Sequence, residues 1–277
     1  MPIFERPDLE SLPPLRQRWT PLYLEHGRLE VDDSGVKWIG ADYLILPIPV
    51  ATVSALLLGP GTTVTHAAIK ACAECNTSVC WVGADGLRFY ALGVTTTHDN
   101  ANARHQVACY SSRTKRTEIA RKMFARRFPG VDVSAKSLDE LRGMEGQRVR
   151  NLYGELGLKY GVTWKGRRYS PENWELADEI NQAISIANAA LYSLCTAAVC
   201  TLGYLPQLGF IHADHPLAFV FDIADLYKHA TSFPAAFQSI SVNPRPTTND
   251  VLAILKLHFE RENLIRRIPD DIKELLG

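Results

Sequence analysis

The strongest constraint on the fold is a change of hydrophobic period about a third of the way along the chain. Up to residue 92, apolar residues come in short runs cut by Gly, Pro and Asp turns. Beyond residue 104 they recur at helical spacing. Between them lies GVTTTHDNANA, which is polar and has few apolar anchors. The pattern predicts an α+β chain: a small β-rich N-terminal domain over 1–92, a linker over 93–103, and a mostly α-helical domain over 104–277.

Strands are expected at 22–25 and 28–31 on either side of a His26–Gly27 turn. Further strands are expected at 36–39, 43–47, 53–58, 78–82 and 87–91. Gly59-Pro-Gly-Thr62 is a turn, and Thr65 is placed to cap a helix running to residue 73. In the second part, 104–128 reads as one long helix with Val107, Ile119, Met123 and Phe124 facing a core. Pro129–Gly130 stops it. Ser137-Leu-Asp-Glu140 is a capping box that opens a helix to about residue 160. A loop over 161–174 with a possible hairpin in WKGRRY follows. An apolar helix over 179–202 reads as the central one, and further helices are expected at 217–229 and 249–263.

The 277 residues carry equal numbers of acids and bases. Zero net charge argues mildly against bulk binding of a polyanion. The distribution points the other way. Residues 104–127 hold eight Lys or Arg and one acid, and residues 142–168 hold seven and two. Charges beyond a screening length of roughly 8–10 Å do not cancel one another, so local basic density still attracts phosphate. The six cysteines lack a second pair or a histidine at zinc spacing, which reads as reduced, buried thiols. No run of about 18 apolar residues predicts a membrane span, and the N-terminus lacks a signal-type apolar core. A cytoplasmic protein is expected.

Three segments carry candidate chemistry: Glu145 in LRGMEGQRVR, His212 in GFIHADHPLAF, and Asp225 in FVFDIADLY. Two carboxylates and an imidazole suit a divalent cation beside a phosphate. There is no nucleotide-binding loop, so metal-assisted chemistry on a nucleic-acid backbone is the reading. Asp222 and Asp225 are three apart in a segment expected to be helical, and His229 lies one turn further on the same face. A carboxylate among Phe219, Val220, Phe221 and Ile223 costs several kcal/mol, about the desolvation of a charge, unless a metal or an arginine compensates. By spacing alone, Glu145 between Arg142 and Arg148 reads as an ordinary helical ion pair.

LRGMEGQRVR, YGVTWKGRRY, INQAIS, LGFIHADHPLAFVFDIADLYK and PGTTVTHAAI together resemble the CRISPR-associated integrase of type I-E systems, the "Cas-one" family. They span about residues 20–240 in the family's order. The resemblance implies a β-rich N-terminal domain for dimerisation and DNA contact and a helical catalytic domain. It implies metal ligation (Mg²⁺ or Mn²⁺) by Glu145, His212 and Asp225, supported by Asp222. It implies insertion of foreign DNA fragments with single-stranded 3′ ends into CRISPR repeat DNA, by attack of a 3′-hydroxyl on a phosphodiester. The implied assembly is a homodimer, two of which are bridged by a small protein of the "Cas-two" family.

Lys70, Arg88, Arg148, Arg167, Arg168 and Lys228 are the expected phosphate contacts. Tyr192 is expected near the active site, and Tyr169 and Trp174 beside the single-stranded end. The chain departs from some relatives at Thr63 (an arginine there), His26 (a tyrosine) and His215 (a lysine), and it stops at Gly277 where relatives often continue. Two other readings fit the residues: a stand-alone metal-dependent endonuclease of branched or repair DNA, and a non-catalytic DNA-binding scaffold.

Overall fold

A computed structural model describes residues 22–32, 35–41, 43–53, 55–75, 77–83, 89–93, 100–167 and 177–277. The N-terminal part holds two four-stranded sheets. One has the order β1 (Leu22–Leu24), β5 (Ala55–Leu58), β7 (Ser78–Val82), β8 (Phe89–Gly93). The other has the order β4 (Ile45–Pro47), β3 (Gly35–Gly40), β2 (Gly27–Asp32), β6 (Thr62–Val64). The His26–Gly27 turn does not pair β1 with β2, as a hairpin would. The chain crosses there from one sheet to the other, with His26 at φ 54°. The Gly59–Gly61 turn makes the same crossing alongside, tied by His26 N–H to Pro60 O at 2.9 Å and Gly59 N–H to Leu24 O at 2.8 Å. Two parallel crossings explain why β1 pairs β5 and β2 pairs β6 in parallel. Helix α1 (His66–Glu74), capped by Thr65 as expected, closes a core of Leu24, Leu29, Trp38, Leu56, Leu58, Ala71 and Val79 drawn from both sheets.

The helical part is built on α5 (Glu179–Thr201), which packs against α6 (Ala218–Ala224), α7 (Ser232–Val242), α8 (Thr248–Arg261) and α9 (Leu264–Leu276). Its segment Glu179–Cys200 is long and apolar enough to cross a membrane, contrary to expectation, but 72% of that window is buried here inside the fold. Its small and branched side chains fill the core, among them Ala183, Ile184, Ala187, Leu191, Leu194 and Val199. All six cysteines are buried and free.

Several expectations need correction. The 104–128 segment is two helices, α2 (Ala101–Ser111) and α3 (Arg113–Arg127). Ser112 is extended between them, and its hydroxyl accepts the Lys115 N–H. That break turns Val107 outward (43% exposed), while Ile119, Met123 and Phe124 are buried. Over 217–229 only α6 is helical, followed by tight turns through residue 231. Helices α7 and α9, each containing a proline, were not among the expected elements. Pro234 sits in the first turn of α7, where the missing N–H costs little, and Pro269 is tolerated inside α9 by burial of that helix's apolar face.

Two capping boxes fix helix starts. Glu140 accepts the Ser137 N–H at 2.7 Å on α4 (Leu138–Tyr160), and Asp250 accepts the Thr247 N–H at 2.8 Å on α8. Those bonds hold both carboxyls below their ordinary values. A folded value below the unfolded one stabilises at pH above the ordinary carboxylate range, and the contribution is lost as pH falls through the folded value. Thermal melts of Glu140→Gln and Asp250→Asn should therefore show a shallower acid loss of Tm than the parent. A second prediction concerns Gly209. A Cβ there would collide with the His212 carbonyl oxygen and lie 2.9 Å from Ala218 Cβ. Gly209→Ala should cost about 1–3 kcal/mol in denaturant unfolding, since overpacked backbone must shift.

Candidate active site

The site grows from one buried carboxylate. Helix α6 forms because Phe219, Val220, Ile223 and Ala224 face the core, and Asp222 comes with them, at 0% exposure. Asp222 Oδ2 accepts the N–H groups of Phe210 (2.5 Å) and Ile211 (3.0 Å). Its Oδ1 accepts the His212 N–H (3.0 Å) and meets His212 Nδ1 at 2.7 Å. An ionised carboxylate can only accept, so Nδ1 carries a proton, and in the neutral ring Nε2, which faces Asp225, keeps its lone pair. Gly209 lets the 209–212 loop approach the start of α6 closely enough for this. Arg142 of α4 also donates to the Ile211 carbonyl at 3.3 Å. Asp222 therefore acts through His212, and Asp225, one turn on and still in helical conformation, faces the other nitrogen of the same ring.

Asp225 follows on the turn after α6. Its Oδ2 lies 3.9 Å from His212 Nε2 and 3.5 Å from Arg127 Nη1, and its Oδ1 lies 2.6 Å from Lys228 Nζ. Arg127, 3% exposed at the end of α3, also donates to the Asp222 carbonyl at 3.0 Å. Burial pushes the Asp225 carboxyl up, but Lys228 and Arg127 outweigh it and the net shift is down. Lys228 stands 4.8 Å over the Tyr192 ring, a cation–π contact, and Tyr192 packs on Phe221 at 4.7 Å. Glu145 reaches in from α4. Burial raises its carboxyl against the pull of Arg127 and Arg148, and Asp225 adds to the rise. Arg148 Nη1 lies 3.6 Å from Glu145 Oε2, too long for a hydrogen bond.

Asp225 thus lies beside His212, Arg127 and Lys228, while Glu145 faces Arg148 and feels the charges of Arg127, Asp225 and Lys228. Among the described residues no group of three or more His, Cys, Asp or Glu is close enough to hold a metal as it stands. The carboxylates are instead neutralised by the cations. The donors nevertheless suit a hard divalent ion: a nitrogen lone pair on His212, a buried Glu145 Oε2 with no hydrogen-bond partner, and Asp225. Every buried side-chain polar atom without a partner among the described residues belongs to this neighbourhood: Arg127 Nε, Glu145 Oε2, Arg148 Nη1, and both ring nitrogens of His229. Native proteins rarely leave such atoms unpaired, and when they do a ligand or ion commonly completes them.

Lys70 is exposed on α1, beside Glu74 at 3.9 Å. The Arg167 guanidinium bonds Asn181 Oδ1 (2.8 Å) and Ser185 Oγ (2.9 Å), so it fastens the loop to the start of α5. Arg88, Arg168, Tyr169 and Trp174 lie outside the described residues, and with them the last two residues of the suggested WKGRRY hairpin. His215 stacks on Phe221 at 4.5 Å, extending the row from Tyr192. Sequence reasoning missed Arg127 and Gly209. Arg127 is one of eight bases in its segment with no local mark, and Gly209 lacks a turn signature because its role is to leave space.

Comparison with known proteins agrees with this architecture. The family model for CRISPR associated protein Cas1 matches residues 20–132 and 130–243. A curated relative, CRISPR-associated endonuclease Cas1 2 of Chlorobaculum tepidum, is 43% identical over 97% of this chain and 91% of its own length. The crystal structure of TtCas1 superposes with a TM-score of 0.84 at 34% identity, covering 94% of this chain and 98% of that one. TtCas1 in complex with DNA gives 0.72 at 36% identity, covering 96% and 99%. On these grounds the chain belongs to the CRISPR-associated Cas1 family.

Proposed function

We propose that this chain is a metal-dependent DNA integrase and endonuclease of CRISPR adaptation, of the type I-E kind, working in the cytoplasm. The observation that carries the proposal is the cluster of unpartnered buried atoms, one carboxylate oxygen and several N–H donors, around two carboxylates and an outward imidazole lone pair. The acceptors suit a cation and the donors suit the oxygens of a phosphodiester. Similarity to an endonuclease and to a DNA-bound relative supports this reading.

Glu145, His212 and Asp225 would hold Mg²⁺ or Mn²⁺. Bound there, the ion supplies positive charge that polarises a phosphoryl oxygen and favours ionisation of a hydroxyl. The oxygen of a fragment's 3′-hydroxyl bonds to phosphorus as it gives up its proton, and the 3′ oxygen of the cut strand leaves with the electron pair of the broken P–O bond and takes up a proton, so one hydroxyl is consumed and one is released. Asp222 fixes the tautomer and direction of His212. Lys228 and Arg127 balance the charge of Asp225, and Arg148 stands ready for the phosphate. The substrate is duplex DNA with single-stranded 3′ ends, inserted at CRISPR repeats. Lys70, Arg88 and Arg168 would track the backbone, with Tyr169 and Trp174 near the unpaired end.

The β-rich domain, 1–92, joined by 93–103 to the catalytic domain 104–277, would contribute dimerisation and DNA contact. Support for a homodimer comes from the exposed apolar run at the β4 edge, where Tyr43 is 87% and Ile45 57% exposed. A small Cas-two protein would bridge two such dimers.

Glu145→Ala, His212→Ala and Asp225→Ala should each abolish strand transfer while leaving DNA binding intact, measured on labelled fragments with the small partner present. Asp222→Asn should lower transfer by about 10–100-fold, as expected on losing the group that orients a ligand. If all four keep the parent rate, the enzyme reading is wrong. Binding should also be salt-dependent. Lys70→Ala should reduce the slope of log affinity against log salt by about 1, read from titrations at several salt concentrations.

A further inference from the structure

Residues 203–208 lead from the end of α5 toward His212 with no helix or strand of their own. They are held by a side chain from α2, a helix that the proposed chemistry does not use. Gln106 is fully buried, and its amide gives both N–H groups to this loop, to the Leu205 and Leu208 carbonyls at 3.0 Å each. Its Oε1 accepts the Leu205 N–H at 2.7 Å. A backbone N–H can only donate, so the oxygen must face Leu205 and the amide lies only one way round. One turn earlier on α2, Asn102 donates to the Leu202 carbonyl at 2.8 Å, where α5 ends.

A side chain there only to fill space would be apolar, because a buried amide is costly unless bonded. The three bonds of Gln106 all end on main-chain atoms of one loop, so what the amide adds over leucine or methionine is the placement of that loop. Leu205 and Leu208 bracket Pro206, whose carbonyl accepts the Phe219 N–H of α6 at 2.9 Å. Gly209 follows at once, so close to Ala218 that a Cβ would lie 2.9 Å from the alanine Cβ. The next three N–H groups are those that meet Asp222. From Leu205 to His212 the chain therefore has little slack, and a shift at the Gln106 end is passed on to the imidazole.

We infer that Gln106, with Asn102 beside it, is a positioning residue that sets where His212 stands. The inference rests on the reading of His212 as a functional group of the site. Asp222 fixes the direction of the imidazole, and Gln106 fixes the loop that brings the two together. Without the amide, the three N–H groups drift from the carboxylate, and a misplacement of about 1 Å can cost about 10²-fold in rate.

The test compares Gln106→Met, which keeps the volume and removes the three bonds, with Asn102→Ala and with a control, Thr247→Ala. The control lowers Tm by removing the α8 cap, away from this loop. Two quantities are read on the full chain: amide hydrogen exchange resolved by NMR, and strand transfer with the small partner present. In Gln106→Met the amides of Phe210, Ile211 and His212 should exchange about tenfold faster. Its kcat should fall about tenfold with KM for DNA unchanged. Asn102→Ala should show the same pattern at smaller size, and it carries the test if Gln106→Met does not fold. Thr247→Ala should match the parent in both. Faster exchange at Leu205 alone, with the 210–212 amides as in the parent, overturns the inference. So does an unchanged kcat where those amides have opened, or a Thr247→Ala variant that loses as much in both. If the parent transfers no strand, the enzyme reading fails, and exchange at residues 210–212 still decides whether Gln106 sets the loop.

Discussion

The catalytic end of the molecule depends on the hydrogen bonds of the Asp222 carboxylate. An ionised carboxylate sealed in an apolar helix costs several kcal/mol, about the desolvation of one charge, unless it is well bonded. Here three consecutive backbone N–H groups and one imidazole meet its two oxygens. That single contact ties the 209–212 loop to α6, fixes the His212 tautomer and sets Nε2 toward Asp225. The loop has no helix or strand to hold it, so the carboxylate supplies the rigidity that a regular element would otherwise give.

Around this latch the charges are arranged in tension. Asp225 is neutralised from two directions, by Lys228 from its own turn and by Arg127 from the far end of α3. Glu145 is neutralised more loosely, by a guanidinium beyond hydrogen-bonding distance. The two carboxylates respond in opposite directions for this reason: burial wins at Glu145, and the bound cations win at Asp225.

Phe124, Phe128 and Leu141 form a small apolar cluster between α3 and α4 that Met144 and Ile211 join. It sits under the guanidiniums of Arg127 and Arg148, which stand 5.4 Å from the Phe124 and Phe128 rings respectively. The aromatic faces keep these cations near the carboxylates without hydrogen-bonding to them. The same packing joins the helix carrying Arg127 to the helix carrying Glu145, so site geometry and helix packing are a single property.

The amino-acid pattern alone determined the change from strands to helices, the capping of α1 and α4, and the central place of α5, whereas Glu145, His212 and Asp225 were joined into one candidate set by the family resemblance and not by their spacing. The first three are local in origin: side-chain period and cap chemistry readable within a few residues. Only the tertiary structure decided that residues 225–231 turn rather than continue a helix, that Asp222 serves His212, and that Arg127 enters the site while Arg167 fastens α5. It likewise decided that the His26 turn crosses between two sheets. Each of those outcomes depends on a partner far away in sequence, here from 10 residues for His212 and Asp222 to 95 for Arg127 and Asp222. A pairing of that kind exists only once the chain has closed on itself.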